Sequence, residues 1–105
     1  MNIMQGDQYT LPVSLTFESG EVITPDSVSD IEFYIGNFRK TIDSGTVTFD
    51  EVSGEYLIKL YQVESFMLKG SVRIQARILF KNGDVVGIDL GTYDVDDAIS
   101  KVILK

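Results

Sequence analysis

Val72, Ile74, Ala76, Ile78 and Phe80 alternate with Arg73, Gln75, Arg77 and Leu79. Successive side chains of a strand point to opposite faces, so a repeat of two puts one set on one side; no helix does this. One face of this strand is apolar and the other largely polar, which makes it half buried. Lys81-Asn82-Gly83-Asp84 follows, then Val85-Val86-Gly87-Ile88-Asp89-Leu90. An Asn-Gly pair supplies the positive φ angles of a tight primed turn, predicting a second strand that folds straight back. This long antiparallel hairpin sets the class as β. It carries no obvious reactive group.

The rest of the chain follows the same grammar. Tyr9, Leu11, Val13, Leu15 and Phe17 alternate with polar residues, and Pro12 places that strand at an edge or beside a bulge. Ile31, Phe33 and Ile35 form one side of another strand, broken at Gly36-Asn37 and resumed from Phe38 to Ile42. Val47 and Phe49 point inward from a short strand, and Tyr56 to Tyr61 forms the next. From Gln62 to Leu68 the β pattern lapses. Val63, Phe66 and Met67 stand at i, i+3 and i+4, which predicts a short helix docked through that face. Ile99, Val102 and Ile103 repeat this spacing in the tail. Turns rich in Gly, Asn, Asp and Pro separate about seven strands, the pattern of an all-β antiparallel sandwich. Residues 1–97 are assigned to it, and 98–105 to a short apolar C-terminal tail.

At 105 residues the chain is one domain, able to bury a core without disulfides or metal. It contains no His and no Cys, which excludes a Ser-His-Asp triad, a cysteine nucleophile and the usual zinc sites. Nine basic residues against 16 acidic ones give a net charge of −7, unsuited to phosphate backbones, so nucleic acid is not an expected partner. No apolar run reaches the roughly 20 residues of a membrane helix, and the N-terminus lacks the pattern of a secretion signal. No membrane partner is expected. The protein is expected to be made in the cytoplasm, leaving it by lysis or within a larger assembly.

Asp94, Asp96 and Asp97 form the densest acidic cluster, but without the glycine and closing glutamate of a calcium loop they read as a solvated strand end. Paired carboxylates also hydrolyse glycosides, yet such a pair needs a cleft that a small sandwich seldom provides. No catalytic, cofactor-binding or metal residue is assigned. Arg73 and Arg77 share the polar strand face, where residues such as Asp89 can neutralise them. Tyr34 and Tyr61 are out of phase with their core-facing neighbours, and exposed aromatics stack on sugars or anchor protein interfaces. Ile99, Val102 and Ile103 are much apolar surface for a chain end, to be packed on the domain or on a neighbour. These five residues are the candidate binding positions.

A family resemblance adds to this reading. Gln5-Gly6-Asp7 leads into Tyr9-Thr10-Leu11-Pro12-Val13, followed by Asp30 to Gly36, Gly54 to Leu60, and Gln62-Val63-Glu64-Ser65-Phe66. Val72 to Arg77 and Asn82 to Gly87 complete the series. Together they resemble, in matching order over nearly the whole chain, the N-terminal immunoglobulin-like domain of phage baseplate upper proteins, found in phages and prophages of Gram-positive bacteria. The disulfide and buried Trp of antibody domains are missing, so the immunoglobulin likeness is architectural. The resemblance implies a non-catalytic virion structural protein of the tail or baseplate, docking to other phage proteins or to copies of itself. In longer relatives a stem follows the residues matching Asp97 to Leu104. The implied location is the phage particle. A rival expectation is an adhesin-type domain that recognises host cell-wall polysaccharide through Tyr34 or Tyr61.

Overall fold

The structure, a computed structural model, describes residues 2–104 and, within them, all side chains but those of Asn2 and Tyr9. The side chain of Tyr9, the first of the alternating set, and the last residue of the tail, Lys105, lie outside the described residues. The chain is an all-β sandwich with eight strands among the described residues: β1 (Asn2–Met4), β2 (Tyr9–Val13), β3 (Asp30–Ile35), β4 (Phe38–Thr41), β5 (Val47–Asp50), β6 (Glu55–Leu60), β7 (Gly70–Leu79) and β8 (Val85–Asp96). Among the described residues one α-helix, α1 (Gln62–Met67), joins β6 to β7, and a 3-10 turn, Pro25–Ser27, precedes β3. A five-stranded sheet runs β1-β8-β7-β3-β4, and a three-stranded sheet runs β2-β6-β5. Pro12 lies in β2, an edge strand, where its missing N–H costs no ladder bond.

The opening hairpin is β7 with β8. Val72, Ile74, Ala76 and Ile78 are buried while Arg73, Gln75, Arg77 and Leu79 are exposed. Its turn corrects the expectation of a primed Asn-Gly pair. Only Gly83 has a positive φ, +94°, and no non-glycine residue among those described does. The Gly83 N–H donates to the Phe80 carbonyl (3.0 Å), and the Phe80 N–H to the Asp84 carbonyl (2.8 Å). This is a three-residue loop closed by a left-handed glycine. The Asn82 side chain stays in the turn by accepting from the Asp84 N–H (2.9 Å), so Asn82 has no need of the left-handed region.

Further along, Arg73 pairs with Thr92 but Gln75 with Asp89, so β8 has one extra residue opposite Ile74. That bulge accounts for a phase change in the sequence. Ile88 and Leu90 pack on the core, and so do Tyr93, three rather than two residues beyond Leu90, and then Val95. The Asp89 carboxylate accepts from the Gly91 N–H (3.0 Å) within the bulge. That bond, and then Arg73, hold its pKa below the ordinary carboxylate range.

The core lies between the sheets. Phe33 and Ile35 from the larger sheet meet Tyr56, Ile58 and Leu60 from the smaller, all fully buried. The Phe33 and Tyr56 rings lie 5.5 Å apart, and the Phe49 ring 4.8 Å from Tyr56. The Tyr56 hydroxyl donates to the Ile23 carbonyl (2.6 Å), tying a long loop to the core. Burial pushes its pKa up to about 12. Ile3 of β1 is also buried, paired in parallel with Val95. No helix among the described residues is long and apolar enough to cross a membrane.

Candidate docking surface

At one end of the sandwich the turn after β1, the helix α1 and the tail come together. Ser65, fully buried, is the knot: its hydroxyl accepts from the Gly6 N–H (2.8 Å) and donates to the Asp7 carbonyl (2.9 Å). Gly6 is required there. Its φ is +88°, and a Cβ would stand 2.8 Å from the Phe66 ring. Gln5 donates from its amide to the Leu68 carbonyl (3.0 Å) and from its N–H to the Asp96 carbonyl (2.8 Å), joining the end of α1 to the end of β8.

An ion pair buried at its lysine end sets the rotation of α1. Lys40 lies opposite Phe33 in the β3–β4 ladder and so points inward, with 1% of its surface exposed. Its ammonium donates to both Glu64 oxygens (2.5 and 2.6 Å) and lies 5.1 Å from the centre of the Tyr61 ring. Glu64 also accepts from the Tyr61 N–H (3.1 Å), satisfying a free donor at the start of the helix. With Glu64 and Ser65 turned inward, the apolar face expected to dock is turned partly away. Val63 and Met67 are exposed, Met67 by 69%, and Phe66 alone of the three is half buried.

The tail crosses this platform without regular secondary structure, so the spacing of Ile99, Val102 and Ile103 corresponds to no helix there. Its backbone is held by side chains. The Gln62 amide donates to the Leu104 carbonyl (2.6 Å) and accepts from the Leu104 N–H (2.9 Å), while Lys101 donates to Gln5 (2.6 Å). These bonds use polar side chains of α1 and of the turn after β1 and leave the apolar side chains of the tail outside. Ile99 is fully exposed, Val102 68% exposed, and Ile103 and Leu104 are exposed as well. Two shallow grooves adjoin at Gln62 and Leu104. Tyr61, Val63 and Ile103 line one; Met4, Phe66, Ile99 and Val102 line the other.

Four of the five candidate binding residues therefore meet on one surface: Tyr61, Ile99, Val102 and Ile103. Tyr34 does not join them. It pairs with Arg39 on the outer face of the large sheet, whereas Tyr61 meets Lys40 on the inner side. Sequence reasoning missed Met4 and the anchoring residues Gln5, Gln62 and Ser65, whose partners lie far away in the chain. The outer face is a ladder of charge pairs. Glu32 meets Arg39 (2.5 Å) and Arg77 (3.5 Å), and Arg73 meets Asp89 (3.3 Å). Among the described residues no group of three or more acidic side chains is placed to hold a metal ion.

A scan against protein-family models finds no match to this sequence, and neither does a search of curated proteins.

Proposed function

We propose that this protein is a non-catalytic structural module of a phage or prophage tail or baseplate, working by docking to other virion proteins. The observation that carries the reading is the apolar surface of Met4, Val63, Met67, Val102 and Leu104. The fold holds these residues in place without burying them. A single domain has nothing to gain from strapping an apolar tail across its end with its side chains outward; a protein interface does. The resemblance to the N-terminal domain of baseplate upper proteins gives the surface its context, and the lack of His and Cys accords with a role free of catalysis. In this reading the protein is made in the bacterial cytoplasm and ends in the particle.

Induction of the prophage, purification of intact particles and mass spectrometry test it. The protein is expected among the particle components; its confinement to the particle-free lysate contradicts the proposal. The polysaccharide-binding alternative has less support, since Tyr34 and Tyr61 stand on opposite sides of the large sheet and offer no shared stacking platform. Titration with host wall polysaccharide separates the two readings. Saturable binding lost in Tyr61→Ala favours the alternative.

A further inference from the structure

We propose that two copies of this chain pair through the free edge of β8, joining their five-stranded sheets into one continuous sheet about a twofold axis. From Val85 to Tyr93, β8 has β7 on one side and, among the described residues, no strand on the other, because β1 covers only Asp94–Asp96. Such an edge offers unpaired N–H and C=O groups to any compatible strand, and proteins ordinarily guard it with Lys, Pro, a bulge or shortness. The other edges are guarded in these ways. Pro12 lies in β2, Arg39 and Lys40 lie in β4, and β1 and β5 have three and four residues. Between Val85 and Leu90, β8 has neither Lys nor Pro, and its bulge comes only at the far end. Its one charge, Asp89, is already paired with Arg73 at 3.3 Å. Val85 and Val86 are exposed, and Ile88 and Leu90 are only partly covered.

The side chains of this segment select a second copy and its register. Val86, Ile88 and Leu90 lie on the core side, opposite Ile78, Ala76 and Ile74, while Val85, Gly87 and Asp89 lie on the outer face. Antiparallel self-pairing keeps like faces together only if the axis passes through a residue, not between two. An axis through Asp89 sets two carboxylates against each other, which is destabilising. An axis through Ile88 sets Ile88 on Ile88 and Val86 on Leu90, continuing the apolar row. It also sets Asp89 on Gly87, where there is no side chain and no charge. In that register Val85 meets Gly91, and the pairing ends before the segment of β8 that β1 occupies. The interface is isologous and closed. It is independent of the tail surface and of the phage assignment.

Gly87 supplies the test. It has an ordinary φ, and a Cβ there meets nothing within 4 Å, so substitutions keep the fold. Within one chain residue 87 faces Arg77, which favours Asp over Lys. Across the proposed interface it faces Asp89, which favours Lys over Asp. Sedimentation velocity of the full chain, up to hundreds of micromolar, is expected to show a monomer–dimer equilibrium. Gly87→Asp should weaken it about tenfold, from two like-charge pairs per dimer, and Gly87→Lys should tighten it. Urea midpoints of the variants check the fold. Hydrogen exchange should slow at amides from Val85 to Gly91 as the protein is concentrated. A chain that stays monomeric overturns the proposal, as does a dimer indifferent to the charge at 87 or one abolished by deleting residues 98–105. Protection of this edge only by a different protein, with the chain itself monomeric, overturns it too.

Discussion

Tyr56 and Gly6 show how single residues hold this molecule together. The Tyr56 hydroxyl is buried and bonded to the Ile23 carbonyl, and its pKa rises from 10.0 to about 12. The folded state therefore keeps a proton that the unfolded chain gives up near pH 10. The stabilisation is complete below pH 10.0 and is lost as pH climbs toward about 12. Urea midpoints measured across that window are expected to fall in the wild type and to fall less in Tyr56→Phe. At neutral pH the same variant is about 1–2 kcal/mol less stable, because the Ile23 carbonyl loses its partner. Gly6→Ala adds a methyl 2.8 Å from the Phe66 ring at a φ of +88°. A loss of about 2 kcal/mol is expected by urea denaturation.

Among elements, α1 depends most on a distant partner. Its six residues are too few to be stable alone. The Lys40–Glu64 pair, with Lys40 on the inner side of β4, fixes both its position and its rotation. Glu64→Leu leaves the Lys40 ammonium buried and unpaired and should cost about 3 kcal/mol. Lys40→Met leaves Glu64 partly exposed and still bonded to the Tyr61 N–H, and should cost about 1–2 kcal/mol. The double variant should cost far less than the sum, and a double-mutant cycle of urea midpoints checks this. The pair also explains what the sequence conceals about this element. The existence of α1 is legible in the lapse of alternation after Tyr61. Its rotation is not, because Glu64 and Ser65 are drawn inward by Lys40, Gly6 and Asp7, groups far away in the chain. Strand β1 is hidden for a similar reason: three residues carry no period, and their pairing is parallel to the end of β8. By contrast β7 and β8 were readable because alternation is local. Their turn departs from a primed Asn-Gly pair, since Asn82 serves through its side chain rather than through a left-handed backbone.

At the scale of the whole molecule, the sandwich brings segments far apart in the chain onto one surface. Four of the five candidate binding residues fall on the tail–helix surface, where Gln62 and Gln5 hold the tail by its polar groups and its apolar side chains stay outside. Tyr34 was separated from them by sheet topology, which strand patterns alone do not reveal. The tail is held mainly by a few exposed side-chain bonds from Gln62 and Gln5. Deleting residues 98–105 should therefore change stability by less than about 1 kcal/mol in urea, leaving fold and docking separable.

The central claim is that this surface docks the protein into a phage particle. Co-expression of wild-type chain and a Val63→Asp/Met67→Asp/Val102→Asp variant during prophage induction tests it directly, with both forms quantified by mass spectrometry in purified particles. All three positions are exposed, so the variant folds. Particles should contain the wild type and exclude the variant, although both are soluble in the lysate. Equal incorporation of the two, or absence of both from the particles, would contradict the account.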